Sequence, residues 1–300
     1  MQKENSFFFC IPEREYFRGK ASQVRLSERI TKENAQLYLV FLCIPLGLHY
    51  LCTKITRMTE LNIPKVSIIT VTYNAGAMLE KTLDSIQKQQ YGNKETIVVD
   101  GKSTDNSLAI IQHYADQGTV TQWSSEPDKG IYDAMNKGVS RCSGQWVIFM
   151  NAGDTFATDD VLHQVFSNKW DAADIVYGDV VKDNHVKAAP AHYRLYHRML
   201  FCHQCVFVRR QCLVDIPFDI HHRLSADYKF FIQQYQQGAR FQYINMPIAI
   251  FDTTGVSNSK RSSGLFDNIK VVCETIPFPQ RIKFVARLAV PYIMCRLKGK

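Results

Sequence analysis

Two carboxylates in this chain follow directly on apolar runs of strand length. Asp154 closes the turn after Trp146–Met150, an uninterrupted apolar run between Gly144 and Asn151, and Asp100 ends the run Glu95–Asp100 (ETIVVD). An open α/β sheet takes its ligand at the carboxyl ends of its strands. A carboxylate there is a hard oxygen donor for a divalent cation, whose remaining positions suit phosphate oxygens and water. Asp154 therefore reads as the ligand of Mg2+ or Mn2+, and the metal as the holder of a diphosphate. Two further acids have informative settings. Asp128 lies in the polar turn Glu126–Gly130, which glycine breaks. Asp227 follows Ser225 and Ala226 at the start of an amphipathic helix with Phe230, Phe231 and Tyr235, a first-turn position where the helix dipole favours the ionised form.

The elements that position these acids alternate strand and helix. Val66–Tyr73 (VSIITVTY) is β-branched and nearly all apolar, the pattern of a strand buried on both faces. After the turn Asn74–Gly76, Met78, Leu79, Leu83 and Ile86 share one helix face. Ser103, Thr104 and Asp105 cap a second helix through Ile110, Ile111 and Tyr114. Val120–Trp123 reads as a short third strand, Ile131–Val139 as a helix, and Ile175–Val181 and Cys205–Arg209 as later strands. Alternation at this pitch predicts right-handed parallel βαβ units, with ligand-facing ends at Tyr73, Asp100 and Ser124–Glu126. A dinucleotide fold would need three glycines in the first turn. YNAGAML has one, and no GxxxxGK[ST] is present. A cation on Asp154 neutralises what a glycine loop cannot cradle.

With 300 residues, 46% hydrophobic and 21% charged, the chain suits one large α/β domain or two modest ones. The net charge of +8 is unevenly placed. Arg281, Lys283, Arg287, Arg296, Lys298 and Lys300 share the last twenty residues with Ile282, Phe284, Val285, Leu288, Val290 and Ile293, without an acid. Two readings are open: a helix on an anionic membrane surface, or a terminal helix packed on the domain. The basic residues form no stripe with stacking aromatics, so no nucleic-acid partner is expected. The nine cysteines are odd in number and scattered, which suits free thiols. Cys202 and Cys205 lack the further ligands a zinc site needs. Gln36–Cys52 carries no charge, yet Pro45, Gly47 and His49 interrupt it. Three readings stay open there: a membrane anchor, a packed helix, or sequence without a folded role.

VSIITVTYNA, IVVDGKSTDNS, SEPDKGIYDAMNKGV and FMNAGD together resemble the family-2 glycosyltransferases. The resemblance covers about residues 64–260 and is strongest to the colanic-acid and exopolysaccharide branch. It implies a GT-A fold, an α/β architecture with a mostly parallel central sheet and helices on both faces. The implied organisation is an N-terminal extension over 1–60, a transferase domain over 61–260, and a basic amphipathic helical segment over 261–300. It also implies residue roles. Val71 and Tyr73 line base and ribose, Asp100 accepts from the base N–H, and Asp128, Lys129 and Asn136 lie against base and diphosphate. Asp154 stands where relatives carry a richer acidic run, and FCHQCVFVRR matches a stretch whose His203 and Gln204 hydrogen-bond donor sugar or diphosphate. Asp227 occupies the catalytic-base position, and the loop Asp252–Ser259 could close over bound donor.

The expected reaction is inverting transfer from a UDP- or GDP-linked sugar to a saccharide or lipid-linked acceptor. The expected setting is surface-polysaccharide synthesis, peripheral on the inner face of the cytoplasmic membrane. A nucleotidyltransferase would need a glycine- and arginine-rich loop after the first strand, and NAGAML lacks it. A glycosidase built on Glu126 and Asp128 would have no use for Tyr73 and Asp100. A nucleotide-sugar-binding subunit without turnover is the alternative that the reduced acidic motif favours and Asp227 opposes.

Overall fold

A computed structural model describes residues 63–191, 199, 201–252 and 261–297. The N-terminal extension, most of the stretch 193–200 and nearly all of the loop after Asp252 lie outside the described residues.

In chain order the elements are β1 (Val66–Thr72), α1 (Gly76–Gln87), β2 (Lys94–Asp100), α2 (Ser107–Asp116), β3 (Gln122–Ser125), α3 (Ile131–Arg141), β4 (Trp146–Phe149), β5 (Thr155–Phe156) and α4 (Val161–Phe166). They continue with β6 (Ile175–Lys182), β7 (His185–Lys187), a 3-10 turn His203–Cys205, β8 (Val206–Arg209), α5 (Arg210–Asp215), α6 (Ala226–Gln236), β9 (Phe241–Ile250), α7 (Arg261–Thr275) and α8 (Gln280–Leu297). The sheet runs β3-β2-β1-β4-β8-β6-β9-β5, with β7 paired to β6. The first four strands are parallel; β8 enters antiparallel to both β4 and β6, while β9 runs parallel to β6.

Strand alternation sends successive side chains to opposite faces, and helices cover both. Ile69, Val71, Ile97, Val99, Val147 and Phe149 face α3, α6, α7 and α8, whereas Val66, Ile68, Val98, Trp146 and Ile148 face α1, α2 and α4. The third strand begins two residues later than Val120–Trp123. Val120 is buried in the turn ahead of it, and the ladder proper (Gln122–Ser125) is an exposed edge without an apolar signal. The basic C-terminal segment forms two helices, and Val271, Val272, Phe284 and Leu288 are buried in the same core as the sheet.

The sheet's opposite end is pinned by Glu95. It is 6% exposed and accepts from Ser67 Oγ at 2.5 Å, the backbone N–H of Ser143 at 2.6 Å and of Gly144 at 3.0 Å, and Ser143 Oγ at 2.9 Å, with Lys65 Nζ 2.6 Å away. Burial works against this charge, but the bonds from Lys65, Ser67 and Ser143 prevail and hold its pKa down at about 2.

Candidate active site

Parallel pairing sets Thr72 opposite Asp100 and Asp100 opposite Ser125, so three strands finish in one row. Beside it the turn after β4 is tied to β1 by Ala152 N–H donating to Val71 O at 3.2 Å. The candidate site lies at these ends.

Asp154 is 7% exposed. Its Oδ1 accepts from Gln204 Nε2 at 3.2 Å and from the backbone N–H of Asp252 at 2.9 Å, while among the described residues Oδ2 receives no hydrogen bond. Burial raises its pKa against the opposing pull of the Asp252 N–H, His203 and Gln204. Gly153 adopts φ 107°, and a Cβ there would meet Asp252 Oδ2 at 2.6 Å, so the turn brings a second carboxylate alongside. Asn151 Oδ1 is buried without a hydrogen-bond partner among the described residues. Among the described residues, the turn thus offers two oxygens without protein donors, Asn151 Oδ1 and the Oδ2 of a buried carboxylate held against its preference. This donor set fits a hard divalent cation that takes most of its shell from elsewhere.

His203 links this turn to Asp227. Its Nε2 is 3.0 Å from Asn151 Nδ2 and its Nδ1 is 3.4 Å from Asp227 Oδ2. With the amide donating, Nδ1–H faces Asp227. A half-turn of the amide lets Oδ1 accept from a protonated Nε2 and gives the orphaned oxygen a partner. Burial disfavours the imidazolium, yet Asp227 and Asp154 outweigh it and leave the His203 pKa above its ordinary value. Asp227 stands in the first turn of α6 and accepts at Oδ1 from Tyr132 Oη and the Tyr228 N–H, each at 2.8 Å.

The nucleoside-side residues divide. Tyr73 is 65% exposed at the row's end, and a Cβ on Gly101 would touch both its ring and Asp128 Oδ2, so these three positions form one surface. Asp128 Oδ1 accepts from Gly130 N–H at 2.8 Å, and Lys129 is exposed. Val71 is instead buried in the core, leaving its backbone as the part nearest the cleft. Asp100 is fully buried and accepts from the Ser103 N–H and hydroxyl and from Ser125 Oγ, so most of its acceptor capacity shapes the two loops. Two of the expected residues are engaged within the protein. Both ends of the Asn136 amide pair with the Phe218 backbone, at 2.8 and 3.0 Å. Gln204 is 1% exposed and spends its amide on Asp154, which makes it a positioning residue.

Sequence reading missed Tyr132, Asn151 as the partner of His203, and Ser125. Tyr132 carried the one available signal, a hydroxyl on the apolar face of α3 that needs a buried acceptor. Asn151 and His203 are 52 residues apart, and no spacing rule pairs them.

The mostly parallel sheet, with helices on both faces and carboxylates at its strand ends, is a GT-A fold. The chain belongs to glycosyl transferase family 2, whose model matches residues 67–257, and is a glycosyltransferase. It is 34% identical over 200 residues to a PGL/p-HBAD biosynthesis glycosyltransferase of Mycobacterium bovis, covering 64% of this chain and 78% of that protein. It is 30% identical over 224 residues to an uncharacterized glycosyltransferase of Mycobacterium tuberculosis (69% and 82% covered). The fold is shared with the mannosyltransferase PcManGT of Pyrobaculum calidifontis, solved with GDP-Man and Mn2+, at a TM-score of 0.59, 16% identity and 76% and 70% coverage. It is shared too with S. aureus TarS 1-349 in complex with UDP-GlcNAc, at a TM-score of 0.59, 17% identity and 75% and 71% coverage. The Mycobacterium bovis relative is named for PGL/p-HBAD biosynthesis, not for the exopolysaccharide branch that the motifs resemble.

Proposed function

We propose that this enzyme transfers a sugar, with inversion, from a UDP- or GDP-linked donor to a saccharide or lipid-linked acceptor used in bacterial surface-glycan synthesis. The observation that carries the reading is the chain Asp154–Gln204/His203–Asp227, in which adjacent residues of one turn contact a metal-type carboxylate and a base-type carboxylate. Tyr73, Gly101 and Asp128 form the nucleoside surface, and Lys129 reaches the diphosphate. Asp154 would hold Mg2+ or Mn2+, with Asn151 and Asp252 nearest to it. A bound cation supplies positive charge against the leaving diphosphate.

Asp227 takes the proton of the attacking acceptor hydroxyl. Tyr132 and His203 orient its carboxylate, and His203 moderates the charge between the two acids. The attacking oxygen forms its bond to the anomeric carbon as the carbon–oxygen bond to the diphosphate breaks, and the electron pair leaves with the phosphate oxygen. A binding subunit without turnover is not favoured, because Asp227 is held ready by three partners.

A peripheral contact with the inner membrane face is supported by α8. Ile282, Val290, Ile293 and Leu297 are exposed on one side of it, opposite buried Phe284 and Leu288, with Lys283 and Arg296 on its flanks. No described helix is long and apolar enough to cross a membrane. The reading is tested by donor hydrolysis: with Mn2+ the protein should release nucleoside diphosphate from UDP- or GDP-sugars. No release from either donor class, with or without added saccharide, refutes it.

A further inference from the structure

A second concave site lies between α7, α8 and the loop before α6. It is a cavity of about 410 Å3 bordered by Arg223, Ser262, Ser263, Lys270, Tyr292 and Arg296. Arg223, Lys270 and Arg296 come from three different elements, all are exposed, and none has a carboxylate within ion-pair distance among the described residues. Like charges gathered in one concavity repel each other and raise its potential for anions. The wall's one acid offsets only part of this charge and is turned away from them. Asp267 is 8% exposed, and its oxygens are engaged by His222 Nδ1 and the Leu224 N–H, both at 3.0 Å. Ser262 and Ser263 add hydroxyls from the first turn of the 15-residue α7, where backbone N–H groups also point outward. Below the cavity, Asp219, His222 and Glu274 stand at metal-ligand spacing, but Lys229 Nζ already sits 2.6 Å from both carboxylates, so that grouping is an ion-pair cluster.

We propose that this cavity binds a phosphate or diphosphate group carried by the acceptor. Arg223 supplies a guanidinium fork matched to phosphate oxygens. Lys270, poised over the Phe266 ring at 4.9 Å, and Arg296 supply the remaining charge. The cavity's position supports the link to the acceptor. Arg223 also borders a shallow cleft with Lys129 and Tyr132, whose hydroxyl bonds Asp227, so one guanidinium joins the cavity to the base's neighbourhood. Arg296 and Tyr292 belong to α8, the helix with the exposed apolar stripe, which sets the site beside the surface where a lipid-borne substrate would arrive. Assigning the phosphate to the acceptor rests on the transferase reading above; anion binding itself does not.

The test is calorimetric titration of inorganic pyrophosphate into the full chain with EDTA present. It compares the unaltered protein with the triple variant R223Q/K270Q/R296Q and with K129Q in the donor cleft. The triple variant should lose affinity by about tenfold or more, as removal of charge-assisted bonds predicts, while K129Q keeps it. Undiminished binding by the triple variant, equal loss in K129Q, or no binding by the unaltered protein overturns the proposal. Should the triple variant not fold, acylation of Lys270 in the unaltered protein decides: pyrophosphate should protect it, and unchanged labelling overturns the site. Flotation with phosphatidylglycerol vesicles then separates the sources. Equal flotation of the triple variant assigns the group to a discrete acceptor, and lost flotation assigns it to bilayer headgroups. Neither result depends on donor turnover, so failure here and failure of the transferase reading are distinguishable.

Discussion

His203 faces Asp227 across 3.4 Å, and the next residue in the chain, Gln204, donates to Asp154 at 3.2 Å. A single dipeptide in a 3-10 turn therefore fixes the spacing between the carboxylate suited to a cation and the carboxylate suited to a proton. The two tasks need different environments. Asp154 is buried, with one oxygen that receives no donor among the described residues, while Asp227 sits at a helix N-terminus with both oxygens oriented.

The base assignment predicts a split between binding and turnover. Asp227→Asn should lower kcat by about 10²- to 10⁴-fold, the usual worth of a positioned general base. Donor affinity should change little, since Asp227 contacts no nucleoside-side residue. Single-turnover rates alongside nucleotide titration check it; near-normal transfer by the variant rules the role out.

Asp154 should cost the free protein stability. Its carboxyl has a raised pKa in the fold, so the folded state favours the protonated form and the ionised group at neutral pH is destabilising. Asp154→Asn keeps the acceptor for Gln204 and Asp252 N–H. It should raise the melting temperature of the metal-free protein by about 2–4 °C, the equivalent of about 1 kcal/mol in a domain of this size. The same variant should lose the melting-temperature gain that Mn2+ with nucleoside diphosphate gives the unaltered protein.

His203 makes the opposite pH prediction from a depressed acid. Its folded pKa is raised above 6.5, so its contribution is complete below 6.5 and disappears as pH rises through the folded value. Melting curves of the protein and of His203→Gln across about pH 5 to 9 should show the unaltered protein's advantage shrinking toward the alkaline end. An advantage that grows with pH contradicts the pairing with Asp227.

At the other end of the sheet, Glu95 stabilises through its ionised form. Its folded pKa lies near 2 against an ordinary 4.5, so the contribution is present above 4.5 and is lost as pH falls toward 2. Glu95→Gln should cost about 2–4 kcal/mol at neutral pH, because Lys65 and the Ser143 and Gly144 N–H groups lose a charged acceptor. Urea unfolding measures it, and activity per folded molecule should be unchanged.

Much of this was legible in the sequence, and the reasons are physical. Strands buried on both faces must be continuously apolar, so Val66–Thr72 and Trp146–Phe149 announced themselves, and a parallel sheet fixes where its ligand end lies. Asp154 and Asp227 stood out because one follows a buried strand and the other opens a helix, whereas His203 was visible only through the resemblance of FCHQCVFVRR. The rest depends on pairings no local pattern encodes. Asn136 carries a helix-face amide, and its pairing with the Phe218 backbone, 82 residues away, has no local signal. Gln204 and Asn151 act through Asp154 and His203, and Asp100 spends its capacity on serines from two loops. The basic C-terminal residues were visible as charge, but their sorting into a cavity wall and an exposed helix flank required the packing of α7 and α8.

The central claim is that Asp154 grips a cation that carries the donor diphosphate. Calorimetric titration of UDP and GDP into the unaltered protein and Asp154→Asn, each with Mn2+ and with EDTA, addresses it directly. The account predicts that Mn2+ tightens binding of at least one nucleotide by about tenfold or more in the unaltered protein, about 1.4 kcal/mol, and by nothing measurable in the variant. Equal Mn2+ enhancement in both proteins, or tight binding of both nucleotides in EDTA that Asp154→Asn leaves untouched, contradicts it.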